Sequence, residues 1–92
     1  MNLTELKIRV SRAIENYNKY RSPEATARLL SLEEDRLEVE LSGTSCTTCG
    51  FYDWIDDLRW DIMDEVNKEV EIENIDGSAD RGTYKVRMRI KK

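Results

Sequence analysis

From residue 83 to residue 91 two kinds of side chain alternate without a break. Tyr84, Val86, Met88 and Ile90 take one set of positions, and Lys85, Arg87, Arg89 and Lys91 the other. A repeat of two sends successive side chains to opposite faces of a β-strand. A one-residue slip would bring the charged set inward, so the strand can be used in only one way round. Whatever the chain folds into must bury one face of this strand and leave the other in water. The remaining segments have to supply its neighbours and its cover.

Two segments are suited to cover it. Over residues 2–20, Leu3, Leu6, Val10, Ala13, Ile14 and Tyr17 recur at helical spacing, and Asn2 with Glu5 forms a capping signal. Arg21-Ser22-Pro23 ends that helix, because a proline disfavours helical geometry in the residue before it. Over residues 51–67, Ile55, Leu58, Ile62 and Val66 line one face, with Phe51 and Trp54 beside it. Asp53 and Asp56 stand near the start of this second helix, at the positive end of its dipole.

The other segments read as strands. Residues 25–32 form the first, although 25–30 can also be drawn as a helical turn after Pro23. Residues 36–41 form the second, with Leu37, Val39 and Leu41 alternating with Glu38 and Glu40. Glu33-Glu34-Asp35 makes the turn of the resulting hairpin. Val70, Ile72 and Ile75 mark a third strand with Glu69, Glu71 and Glu73 on its outer side, and residues 76–82 form a loop. The order α-β-β-α-β-β predicts an α+β two-layer sandwich, two helices packed on one face of a four-stranded sheet. The open face then sets Glu38, Glu40, Glu69, Glu71 and Glu73 across from Lys85, Arg87 and Arg89. Residues 1–92 are expected to form a single domain.

Charge is unevenly spread. Residues 33–73 carry fourteen acidic and three basic side chains, whereas both ends are net basic. The basic array of Lys85, Arg87, Arg89, Lys91 and Lys92 lacks interleaved exposed aromatics and lies beside acidic strands, so nucleic acid is not an expected partner. It reads instead as an edge strand that uses charge against aggregation. No apolar run approaches a membrane span and the first residues lack signal-peptide character, so a cytoplasmic location is expected.

Chemistry is concentrated in one place. Cys46 and Cys49 are the only cysteines of a chain without histidine. They sit between the second strand and the second helix, where helix N–H groups stabilise a thiolate. Three readings stay open: half of a metal or iron–sulfur site, a thiol–disulfide redox pair, or two inert structural thiols in a structural or protein-interaction domain. Zinc or a cubane cluster normally takes four protein ligands. The missing ones would be carboxylates, an external thiol, or the same pair from a second subunit of a homodimer. Without histidine or a phosphate-gripping glycine loop, no enzyme is expected.

The segment Val39-Glu40-Leu41-Ser42-Gly43, followed by Cys46-Thr47-Thr48-Cys49 and an amphipathic helix, resembles the C-terminal domain of NifU-type iron–sulfur scaffold proteins. The resemblance covers about residues 3–75 and leaves residues 83–91 as an addition. Gly50 stands where that family usually has proline. The resemblance implies a [4Fe–4S] cluster shared between two subunits, held by Cys46 and Cys49 of each and passed to an acceptor protein. Zinc is the alternative metal, and no cofactor is expected if the thiols are structural.

Two further residues stand out. Trp60 and Tyr52 lie off the Ile55–Leu58–Ile62 stripe, with Met63 nearby. They are either interface anchors or part of a wide buried stripe. The acidic surface formed by Asp53, Asp57, Asp61 and Asp64 serves either solubility or the docking of a basic partner.

Overall fold

Asn2 starts the first helix as predicted: its side-chain Oδ1 accepts from the Glu5 backbone N–H at 2.8 Å. The computed structural model describes residues 2–21, 25–43, 51–78 and 83–91. Their order is α1 (Leu3–Arg21), β1 (Thr26–Leu32), β2 (Arg36–Ser42), α2 (Phe51–Val66), β3 (Val70–Ser78) and β4 (Thr83–Ile90). Two helices pack against a four-stranded antiparallel sheet, which is the expected α+β architecture. β1 is a strand throughout, so the helical-turn alternative over residues 25–30 does not hold.

The sheet order is β1-β2-β4-β3. β4 is therefore an interior strand, and the expectation of a charged edge strand is corrected. It pairs with β2 from Arg36↔Arg89 to Ser42↔Thr83, and with β3 from Val70↔Ile90 to Ser78↔Thr83. Its alternation explains why it can sit there. Tyr84, Val86, Met88 and Ile90 are buried beneath the helices with Leu37, Val39 and Leu41 of β2. The basic side chains face out between acidic neighbours. Arg87 pairs with Glu38 at 3.7 Å, and Lys91 with Glu71 at 3.1 Å.

Glu73 departs from the expected cross-strand row. The register of β3 shifts between Ile72 and Asn74, and Glu73 pairs with Arg36 of β2 at 3.4 Å. β3 also runs on through Asp76, Gly77 and Ser78, where a loop was expected. Gly77 makes this extension feasible. Its φ is +142°, and a Cβ there would lie 2.4 Å from the Thr83 carbonyl oxygen.

The helices cross-link by side chains that donate to backbone carbonyls. Tyr17 Oη donates to Trp54 O at 2.9 Å, and Arg9 donates to Glu65 O at 3.2 Å. Position 17 is thus level with 54 and position 9 with 65, so α1 and α2 run antiparallel. Asn67 closes α2 with φ +56°, its N–H donating to Met63 O at 2.8 Å. α1 is tied to the sheet by Asn18. Its amide donates to Ala27 O at 2.9 Å and accepts from the Ala27 N–H at 2.7 Å. Both groups of Ala27 point away from β2, so Asn18 acts as a one-residue substitute for a neighbouring strand at the β1 edge. Leu3, expected on the buried stripe, is instead exposed on the first turn of α1.

Candidate interaction surface on the second helix

Helix α2 buries Ile55, Leu58, Ile62 and Val66 completely or almost so. The opposite ridge carries Asp53, Asp57, Trp60 and Asp64, all exposed. Trp60 is 51% exposed and Tyr52 55%, so neither belongs to a wide buried stripe. Met63 and Trp54 do pack against the core as partly buried side chains. The division follows from angle: Trp60 lies about 160° round the helix from Ile62, at roughly 100° per residue.

Trp60 is held rather than loose. The Arg59 guanidinium stacks 5.1 Å from its ring centroid. Arg59 is itself fixed by Asp56 Oδ1 at 2.8 Å and by Val70 O at 3.0 Å. Pre-ordering of this kind lowers the entropy lost when an aromatic docks on a partner.

The side of α2 facing α1 has a different character. Arg21, at the end of α1, lies over the Tyr17 ring at 4.8 Å and reaches Asp57 at 3.7 Å and Asp61 at 3.6 Å. Asp61 Oδ2 is buried and accepts no hydrogen bond from the described residues. Burial therefore pushes the Asp61 carboxyl up from its ordinary range. Arg21 partly offsets the shift, and Asp57 and Asp64 reinforce it. The ridge thus joins an exposed indole to a field of carboxylates, with Arg59 as the cation within it. Sequence reasoning found Trp60, Tyr52 and the acidic surface by wheel position. It missed Arg59 and Arg21, whose roles depend on which neighbours the fold brings near.

Cys46 and Cys49 lie outside the described residues. Among the described residues, no group of three or more His, Cys, Asp or Glu side chains is placed to hold a metal ion. No helix among them is long and apolar enough to cross a membrane.

No known family model matches the chain, and no curated protein matches it in sequence. It is similar to a solved structure described as "Probing the function of heme distortion in the H-NOX family". The two are 17% identical with a TM-score of 0.44; the match covers 94% of this chain and 44% of that one. The likeness is loose, and no ligand passes from that protein to this chain.

These findings correct the expected kinship with NifU-type scaffold proteins. No family model matches the chain. The sheet gives the physical reason. The resemblance left residues 83–91 as an addition, yet β4 is the strand that joins β3 to β2. Without it β3 would have no strand partner among the described residues. The expected cofactors, a [4Fe–4S] cluster shared across a homodimer or zinc in its place, are corrected with it. Two thiols need further ligands, and the described carboxylates are not grouped to supply them.

Proposed function

We propose that residues 1–92 act as one non-catalytic protein-binding module whose recognition surface is the outer ridge of α2. Its ligand is a basic helical segment. Trp60 supplies the apolar anchor, and Asp53, Asp57 and Asp64 attract the cationic side chains around it. The observation that carries this reading is Trp60, half exposed and stacked on Arg59, at the centre of a carboxylate-rich ridge. Full burial of a large aromatic contributes about 2–3 kcal/mol, enough to make one residue dominate a small interface. The surrounding charges set partner choice and association rate more than affinity.

The test is titration with two synthetic helical peptides of equal length and apolar content, one lysine- and arginine-rich and the other glutamate-rich. Trp60 fluorescence in a Trp54→Phe background reports binding. The basic peptide is expected to bind, more weakly as salt rises, and Asp57→Lys is expected to weaken it at least tenfold. Equal response to both peptides, or no response to either, refutes the reading.

A further inference from the structure

The two helices present matching ridges on the face turned away from the sheet. On α1 the exposed residues Ile8, Arg12, Glu15 and Lys19 follow one another at intervals of four, three and four. On α2 the exposed residues Asp53, Asp57, Trp60 and Asp64 follow at the same intervals. One ridge carries two cations, Arg12 and Lys19, with Glu15 between them and Ile8 at its end. The other carries three carboxylates around a tryptophan.

We propose that the partner of the α2 ridge is the α1 ridge of a second copy of this chain; the inference rests on the reading of α2 given above. A two-fold axis parallel to the helices, passing between the helix layers of the two copies, places α1 of each copy over α2 of the other. Such an axis keeps residues at their own height along the helices. The contacts Tyr17–Trp54 and Arg9–Glu65 define those heights within one copy. They set Lys19 level with Asp53, Arg12 with Trp60, and Ile8 with Asp64. Lys19 then meets a carboxylate and Arg12 lies against the indole, the geometry of a cation–π contact. The interface is isologous, so each contact forms twice.

The arrangement also sets Ile8 against the Asp64 carboxylate and contains one like-charge mismatch, which makes it testable. Glu15 falls level with Asp57. The facing helix α2 has 16 residues, about 24 Å at 1.5 Å per residue, and two helices side by side are about 20 Å wide. A footprint of that size buries at most roughly 960 Å² in total, in the range of weak, transient association. The dimer is therefore expected to be weak and concentration-dependent.

Sedimentation equilibrium of the full chain across the micromolar to millimolar range decides the matter. Wild type is expected to dimerise more weakly at high salt, and Glu15→Lys to tighten the dimer by several-fold. Arg12→Glu/Lys19→Glu on α1, and Asp53→Lys/Trp60→Lys on α2, should each abolish it, because positions 53 and 60 are the ones that face Lys19 and Arg12. The chain carrying all four substitutions restores complementarity and should dimerise again, which separates interface loss from misfolding. A dimer indifferent to these changes uses another surface and overturns the proposal. A wild type monomeric throughout overturns it too. If that monomer still takes up the basic peptide, only the second-copy partner is wrong; if it does not, the α2 reading falls as well.

Discussion

Replacing Asn18 with alanine should destabilise this protein more than any other exchange of a half-exposed polar residue on α1. The Asn18 amide satisfies both backbone groups of Ala27, at 2.9 Å and 2.7 Å, and Ala27 is only 3% exposed. Each buried backbone group left without a partner costs about 1–3 kcal/mol. Ala27 lies on the sheet edge, where water can reach in after the side chain is cut back, so the lower end applies to each. The better helix propensity of alanine returns about 0.5 kcal/mol. The net loss is about 1.5 kcal/mol, or about 9 °C in melting temperature for a domain of this size. Asn18→Asp is the sharper test because the shape is kept. An ionised carboxylate still accepts from the Ala27 N–H, but it opposes the Ala27 carbonyl instead of donating to it. Its folded-state pKa is therefore raised. The variant should be as unstable as Asn18→Ala at neutral pH and recover in acid, where the protonated carboxyl can donate. Urea unfolding at several pH values measures both effects. A loss below about 0.5 kcal/mol for Asn18→Ala, the range of ordinary surface exchanges, would refute the reasoning. So would an Asn18→Asp protein with wild-type stability at neutral pH.

Other outcomes follow from the same structure. Gly77→Ala combines a disfavoured φ of +142° with a Cβ 2.4 Å from Thr83 O and 2.8 Å from Tyr84 Cα, both backbone atoms that cannot move aside cheaply. A loss of about 3 kcal/mol is expected, with β3 amides exchanging faster in hydrogen exchange; retained stability would contradict the strained close approach. Asp61 holds its proton to higher pH in the folded chain than its ordinary value of 3.8, chiefly through desolvation. The folded state then binds more protons than the unfolded one between those two values, so stability falls as pH rises through that window. Asp61→Asn should flatten this slope and unfold at higher urea at neutral pH, and unchanged slopes in the two proteins would argue against a desolvated carboxyl.

Periodicity made most of the architecture legible. Asn2 and Glu5 announced the start of α1, and the alternation of residues 83–91 announced a strand with one dry face. These signals are local, because a side chain's direction depends on its own backbone and on the period of the repeat. The acidic ridge and the positions of Trp60 and Tyr52 were legible for the same reason. A helical wheel tells which side chains leave the core, but not what meets them. The cysteine turn misled the reading of kinship, since a short motif carries little information about the sheet that surrounds it.

What the chain's own sequence determined, then, was the identity of its elements and the face each one buries. Only the tertiary structure decided which strands are neighbours. A repeat of two is equally at home in the middle of a sheet or at its edge, so nothing in residues 83–91 reveals that β4 lies between β2 and β3. The register shift at Glu73 and the clamp of Asn18 on Ala27 belong to the same class. Each depends on a residue distant in sequence offering a partner at hydrogen-bonding distance, and that proximity exists only after the hydrophobic faces have come together.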